Sequence, residues 1–362
     1  MRLDGMSLSS PKVDAADGVD HVTVDTGAEV HLDEWIAPEL VDENGFLRVG
    51  RILEWMDVGG SLAAVRYCRQ LCVTASVNGV DIYQPIAVGE HVSMTARVVH
   101  TSRRSIGVHV SLRARGAKLL SESEVLSAYM TFVPVAAQKG QLEPVKPYTP
   151  TTPRDRALYR QGELRREFRQ KLAAGDFPEG AGRARVARER LSLRTFARDV
   201  RRIVQDTGRS SNACSPELSY VHRVEPVMAG SLNVHGTLYG GTLMRWIENA
   251  ASLSARAFTD TSMMVVGVHG LDFQKPVSRD VFLHTHAMAV RADNDSITIR
   301  VEVTSENPMT GSIEQNLFGY FTYRPVDRRA VVPKLALQSD AEHALSAEAT
   351  HHLAFSRRLR AQ

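Results

Sequence analysis

The segment Asn233-Val234-His235-Gly236-Thr237-Leu238-Tyr239-Gly240-Gly241 runs straight into an apolar stretch, TLMRWIENAAS. Asparagine carries both a donor and an acceptor, so Asn233 can orient a water or a carbonyl. Gly240 and Gly241 stand where that apolar stretch begins as a helix. Backbone N–H groups at a helix start can stabilise an oxygen that gains charge, and glycine lets a reacting group come close. An acid stands in the first half of the chain. Asp57 lies in RILEWMDVGGS, a predicted helix in which Ile52, Trp55, Met56, Gly59 and Leu62 recur at helical spacing. A carboxylate on an otherwise apolar helix face is costly unless it is paired, which points to a chemical use. Such a group can activate a water as general base or attack an electrophile itself. Ser61 lies at i+4 on the same face, where its hydroxyl could bond the carboxylate or the water; its plainer reading is a small packing residue.

The elements that must position these groups are legible because the chain repeats itself. One offset, 191 residues, takes Trp55 to Trp246, Asp81 to Asp272, Pro85 to Pro276, Tyr129 to Tyr320 and Pro134 to Pro325. Two copies of one domain follow, at 21–136 and 213–327. A second offset, 187 residues, takes Ala157, Leu158, Phe168 and Leu172 to Ala344, Leu345, Phe355 and Leu359. Each copy is therefore followed by an amphipathic helix, near 153–173 and 340–360. The first belongs to a basic linker, 137–212, and the second to a C-terminal tail, 328–362; residues 1–20 read as a flexible tail. Within each copy a short strand leads through a loop into one long helix. Alternating segments such as VTASVNGVDI, HVSMTARVVH and SIGVHVSLRA follow, each with the period of two of a half-buried strand. The class is α+β, with a sheet wrapped around a helix. One such sheet leaves an open edge, and a tandem copy can cover it within one chain.

The pattern N-x-x-G-x-x-x-G-G before a helix, with an acid seven residues after the second Gly, resembles the acyl-CoA thioesterases of the hotdog superfamily. The cytosolic long-chain acyl-CoA hydrolases with two fused hotdogs are the nearest form. The first copy carries the altered version Asp42-Glu43-Asn44-Gly45-Phe46-Leu47-Arg48-Val49-Gly50. The resemblance implies a double hotdog in which a site forms at the seam, the Asn and Gly-Gly coming from one copy and the acid from the other. Carried over, Asn233, Gly240 and Gly241 would face Asp57. A second site would pair Asp42 with Glu248, and there two carboxylates would repel and one would tend to stay protonated. One working site per chain is expected. Asp57 would act as base or nucleophile on a fatty acyl-CoA thioester, while the N–H groups of Gly240 and Gly241 would hold the carbonyl oxygen. His235 could touch substrate or serve only its loop. Two other readings stay open: a non-catalytic acyl-CoA binder or sensor, and a hotdog enoyl-CoA hydratase or dehydratase.

CoA carries phosphates, so cations should line its mouth. Arg103 and Arg104 lie in a strand turn, TSRRS, where the second copy has Asp293-Asn294-Asp295; Lys275 is another candidate. Residues 136–212 hold 18 Lys and Arg against 9 Asp and Glu, a net +9 in a chain whose overall charge is +3. That arm is a solvated linker helix on the plain reading, and a contact for an anionic membrane on the sharper one. No phosphate-binding glycine loop, zinc spacing or aromatic-interleaved basic patch is present, so no cofactor, metal or nucleic acid is expected. Three cysteines, Cys68, Cys72 and Cys214, are too few for a disulfide framework; Cys68 and Cys72 sit at i,i+4 on the predicted helix as structural thiols. With no apolar run of spanning length and no secretory signal, the expected place is the cytoplasm. The expected assembly is a homo-oligomer, a trimer or dimer of double hotdogs.

Overall fold

The computed structural model describes residues 29–116, 122–136, 142–174 and 213–360. The proposed tail 1–20 and the linker beyond residue 174 lie outside them. The first copy runs β1 (Glu29–Trp35), α1 (Val49–Cys68), β2 (Cys72–Ile82), β3 (His91–Ser102), β4 (Ser105–Arg115) and β5 (Ser123–Pro134), followed by α2 (Pro153–Ala174). After a two-residue strand, β6 (Ala213–Cys214), the second copy repeats this order. It runs β7 (Val221–Pro226), α3 (Gly240–Thr259), β8 (Met263–Phe273), β9 (Phe282–Asp293), β10 (Ser296–Glu306) and β11 (Ile313–Pro325). A short β12 (Lys334–Leu335) pairs with β6, and α4 (Asp340–Arg360) closes the described chain.

Ten strands form one antiparallel sheet in the order β1-β3-β4-β5-β2-β8-β11-β10-β9-β7. The seam is β2 against β8, with Ser76 opposite Asp272 and Asp81 opposite Gly267. Each copy thus covers the other's open edge, and the architecture is two hotdogs joined in tandem. α1 and α3 lie side by side on one face and build the main core with it. On α1 the buried residues Ile52, Leu53, Met56, Gly59, Gly60, Ala63 and Ala64 repeat at helical spacing. Their small members bring the helix hard against the strands: a Cβ on Gly60 would stand 2.6 Å from Phe132. The helix stops at Cys68 because Arg69 turns left-handed, φ 57°; its counterpart Asp260 does the same after α3, φ 55°. The expectation that Cys68 and Cys72 share a helix is therefore corrected, since Cys72 opens β2 beyond that turn.

The other face of the sheet is covered by α2 and α4. Adjacent residues of β5 show the division: Met130 faces α1 at Gly60, whereas Tyr129 clusters with Leu158 of α2. Both outer helices begin with the same reciprocal cap. Asp155 accepts from the Thr152 N–H at 3.0 Å and donates its own N–H to the Thr152 hydroxyl at 3.1 Å; Glu342 and Ser339 repeat this at 2.9 and 3.2 Å. Under α4, Arg300 of β10 donates to Glu302 at 2.7 Å, Glu348 at 3.1 Å and the Tyr320 hydroxyl at 2.5 Å, all buried. Arg360 is ion-paired with Asp81, which ties the end of α4 to the first copy.

Candidate active site

α1 and α3 each aim an N-terminus at a carboxylate in the middle of the other. The Gly241 N–H, in the first turn of α3, donates to Asp57 Oδ2 at 2.8 Å. The Thr74 hydroxyl, from β2, donates to Asp57 Oδ1. The carboxylate is 3% exposed, and its burial pushes the pKa up to about 6, against the lowering effect of those two bonds. The approach is close enough to require glycine. A Cβ on Gly240 would stand 3.0 Å from Asp57 Oδ2, and one on Gly241 would stand 3.0 Å from the Glu54 Cα. Burial, and then Asp57, push up the phenol of Tyr239, the residue that caps α3. One turn before Asp57, Glu54 is gripped by Arg51 of its own helix and by Arg245 of α3, each at 2.8 Å.

The second carboxylate sits in the mirrored place. Glu248 is 7% exposed and accepts from the Gly50 N–H at the start of α1; burial pushes its pKa up to about 7. Its hydroxyl neighbour is Tyr323, 3.5 Å from Oε1. Val49 stands where the other site has Gly240. Asp42, whose Oδ1 accepts from the N–H groups of Asn44 at 2.8 Å and Phe46 at 3.1 Å, adds a smaller push on Glu248 in the same direction by like-charge repulsion. A cavity of about 270 Å³ opens beside Glu248, lined by Asp42, Arg48, Tyr323 and Arg256 among others. A larger one, about 400 Å³, lies beneath α2 and α4. Void volume and burial thus leave both carboxylates as candidates, and what separates them is the Gly240-Gly241 start of α3, against Val49-Gly50 at the start of α1.

The residues singled out from the sequence fall into three groups. Asp57, Gly240 and Gly241 are brought together. Asn233 is not bonded to Asp57. Its Oδ1 accepts from the His235 N–H at 2.9 Å and the Thr237 N–H at 3.3 Å, and its amide donates to the Thr237 hydroxyl at 3.0 Å, so it shapes the loop that delivers α3. Ser61 requires correction: its hydroxyl donates to the Val58 carbonyl at 3.0 Å, one turn back in its own helix, and the carboxylate's hydroxyl partner is Thr74. The three cations are exposed, and none is bonded to the Asp57 site. Arg103 and Arg104 are exposed in the turn between β3 and β4, beside Ile106, which pairs with Phe132, itself the partner of Thr74. Lys275 follows β8 and donates to Glu314 at 3.0 Å, both side chains more than half exposed. Thr74 and Tyr323 were missed. A signal did exist, because the 191-residue offset takes Thr74 to Val265 and Phe132 to Tyr323, an exchange of hydroxyl for hydrocarbon at paired positions.

Among the described residues, no group of three or more His, Cys, Asp or Glu side chains is placed to hold a metal ion, and no helix is long and apolar enough to cross a membrane. Residues 44–121 and 235–312 each match the model of the thioesterase superfamily. An acetyl-coenzyme A thioesterase of Rattus norvegicus is 24% identical over 277 residues, covering 76% of this chain and 46% of its own length. A cytosolic acyl coenzyme A thioester hydrolase of Homo sapiens is 22% identical over 321 residues, covering 84% of this chain and 77% of its own. The chain spans about half the length of the first of these. The solved structure of a putative oleoyl thioesterase from Lactobacillus plantarum aligns with a TM-score of 0.50 at 10% identity. It covers 83% of this chain and 97% of that one, a likeness of fold.

Proposed function

We propose that this chain, in which residues 44–121 and 235–312 each match the thioesterase superfamily model, hydrolyses fatty acyl-CoA thioesters to the free fatty acid and CoA at the Asp57 site. The observation that carries this is the buried Asp57 carboxylate held against the N-terminus of the opposite copy's helix. With a pKa of about 6 the group is largely ionised at neutral pH, yet basic enough to take a proton. It removes a proton from water as the water oxygen bonds the thioester carbonyl carbon. The carbonyl oxygen takes up negative charge beside the first turn of α3, where the helix dipole favours it; the Gly241 N–H expected to hold that oxygen donates to Asp57 instead. Collapse of that intermediate breaks the C–S bond, and the CoA sulfur leaves as a thiolate that takes up a proton.

Asn233 supports this arrangement from its loop, and His235 lies beside it there. Arg103, Arg104 and Lys275, all exposed, suit the phosphates of CoA. The Glu248 site is the idle one on this reading: Val49 stands where the Asp57 site has Gly240. Residues 21–136 and 213–327 are then the two domains that share one seam site. The human relative is named cytosolic, and by likeness the place proposed is the cytoplasm. The proposed assembly is a homo-oligomer, a trimer or dimer of double hotdogs, with sedimentation as its test. Release of CoA from C2 to C18 acyl-CoAs, followed with a thiol-reactive dye, tests the function. Release by the wild type that collapses in Asp57→Asn supports it, and no release from any substrate by folded protein overturns it.

A further inference from the structure

The thiols of Cys68 and Cys72 lie 3.5 Å apart, sulfur to sulfur. Both also lie 3.4 Å from the same Gln70 carbonyl oxygen, so they converge on one point. Neither is sealed in the core, both being half-buried, whereas Cys214 is buried. The turn between them is held in shape. Arg69 is left-handed, and the Gln70 side chain donates to the Glu143 carbonyl and accepts the Glu143 N–H, each at 3.0 Å. A disulfide bond is about 2.04 Å long, so closure asks for a movement of about 1.5 Å, shared by the two side chains and the backbone that carries them.

We propose that Cys68 and Cys72 form a peroxide-sensitive dithiol that closes to an intramolecular disulfide. One thiolate attacks the peroxide, giving a sulfenic acid with release of water. The second sulfur then displaces the hydroxyl of that sulfenic acid, forming the S–S bond and a second water. Two thiols are oxidised by two electrons and one peroxide is reduced. Burial and the neighbouring Cys68 sulfur push the Cys72 thiol up, so Cys72 is the poorer attacking group.

The position gives the bond a consequence. Cys68 ends the helix that carries Asp57, and Cys72 stands two residues before Thr74, whose hydroxyl bonds that carboxylate. Drawing the two sulfurs together pulls the start of β2 toward the end of α1 and displaces Thr74 from Asp57. Turnover falls on oxidation and returns with reductant. This second effect rests on the proposed role of Asp57; the disulfide itself does not.

The sequence supplies a clean readout, because trypsin cleaves after Arg69 and leaves Cys68 and Cys72 in separate peptides. Full-length protein is treated with hydrogen peroxide, blocked with iodoacetamide, unfolded, digested and analysed by mass. The expected result is one linked pair of peptides lacking two alkyl adducts, in monomeric chain, reversed by dithiothreitol. Cys214 should still alkylate after unfolding. Peptides that stay separate, whether alkylated or carrying sulfinic acids, overturn the proposal, and so does linkage between chains. Cys68→Ser with Cys72→Ser should keep the untreated turnover and lose its peroxide sensitivity. Linkage without any change in turnover keeps the dithiol and removes its link to Asp57.

Discussion

Glu54 and Arg245 occupy the same position in the two copies, 191 residues apart, and they meet in an ion pair of 2.8 Å between α1 and α3. Phe168 and Phe355 do the same on the other face, 187 residues apart, their rings stacked 3.8 Å between centroids and within 2° of parallel. A residue that touches its own counterpart lies on the two-fold axis of the pair. In two identical subunits that position would set Glu against Glu or Arg against Arg. In the tandem chain the two positions carry opposite charges, one turn from the Asp57 carboxylate.

Arg245→Glu should place two carboxylates on that axis, one turn from Asp57, and Glu54→Arg should place two guanidinium groups there. Each single change should lower the melting temperature, while the exchange Glu54→Arg with Arg245→Glu should recover most of the loss. Thermal unfolding of the four proteins measures the coupling. Equal losses that simply add would show that the pair contributes nothing.

Asp57→Asn should cut CoA release by roughly 10²- to 10⁴-fold, the range for a lost general base. The thiol-dye assay reads this directly. Retention of near-full turnover would remove Asp57 from the site.

The wild-type rate should fall with acidity through about pH 6, because the working form is the carboxylate and burial holds its pKa there. Thr74→Val removes a hydrogen bond to the charged form, so the acid limb should move to higher pH. A pH profile of kcat for the two proteins decides it; an unmoved limb would mean that Thr74 does not face the titrating group.

The same burial links Asp57 to stability. Its folded-state pKa, about 6, lies above the ordinary aspartate value of 3.8, so folding favours the protonated form. That stability is complete below pH 3.8 and is lost as pH rises through 6. That rise corresponds to roughly 3 kcal/mol, so Asp57→Asn should be the more stable protein at pH 8 by an amount of that order. Urea unfolding at pH 4 and pH 8 tests the sign: the advantage should be present at pH 8 and small at pH 4.

Gly240→Ala and Gly241→Ala should fail differently. The first pushes on the Asp57 oxygen, which a side-chain rotation can relieve, so turnover should suffer more than stability. The second presses a Cβ on the Glu54 backbone, where relief means moving a helix, at about 1–3 kcal/mol. Parallel measurements of kcat and denaturation midpoint should separate the two variants.

Much of this was present in the sequence, because it depends on local order. The 191-residue register gave the two copies, strand alternation and helical spacing gave their elements, and the motif with Gly240 and Gly241 placed one helix start. The lone acid on an apolar face marked Asp57, since burying a charge without use is costly. What lies between elements was settled only in three dimensions. Ser61 is i+4 from Asp57, yet a hydroxyl facing its own helix can bond a carbonyl one turn back, and it does. Thr74 is 17 residues away on a strand, and only the packing of α1 on the sheet brings its hydroxyl to Asp57. Asn233 could orient a water or cap a turn on sequence grounds, and the hydrogen bonds from the His235 and Thr237 N–H groups show the turn. Periodicity reports which face of an element is buried, because that is set by residues a few positions apart. It does not report which donor meets which acceptor across a seam, because that is set by the angle and register at which two elements pack.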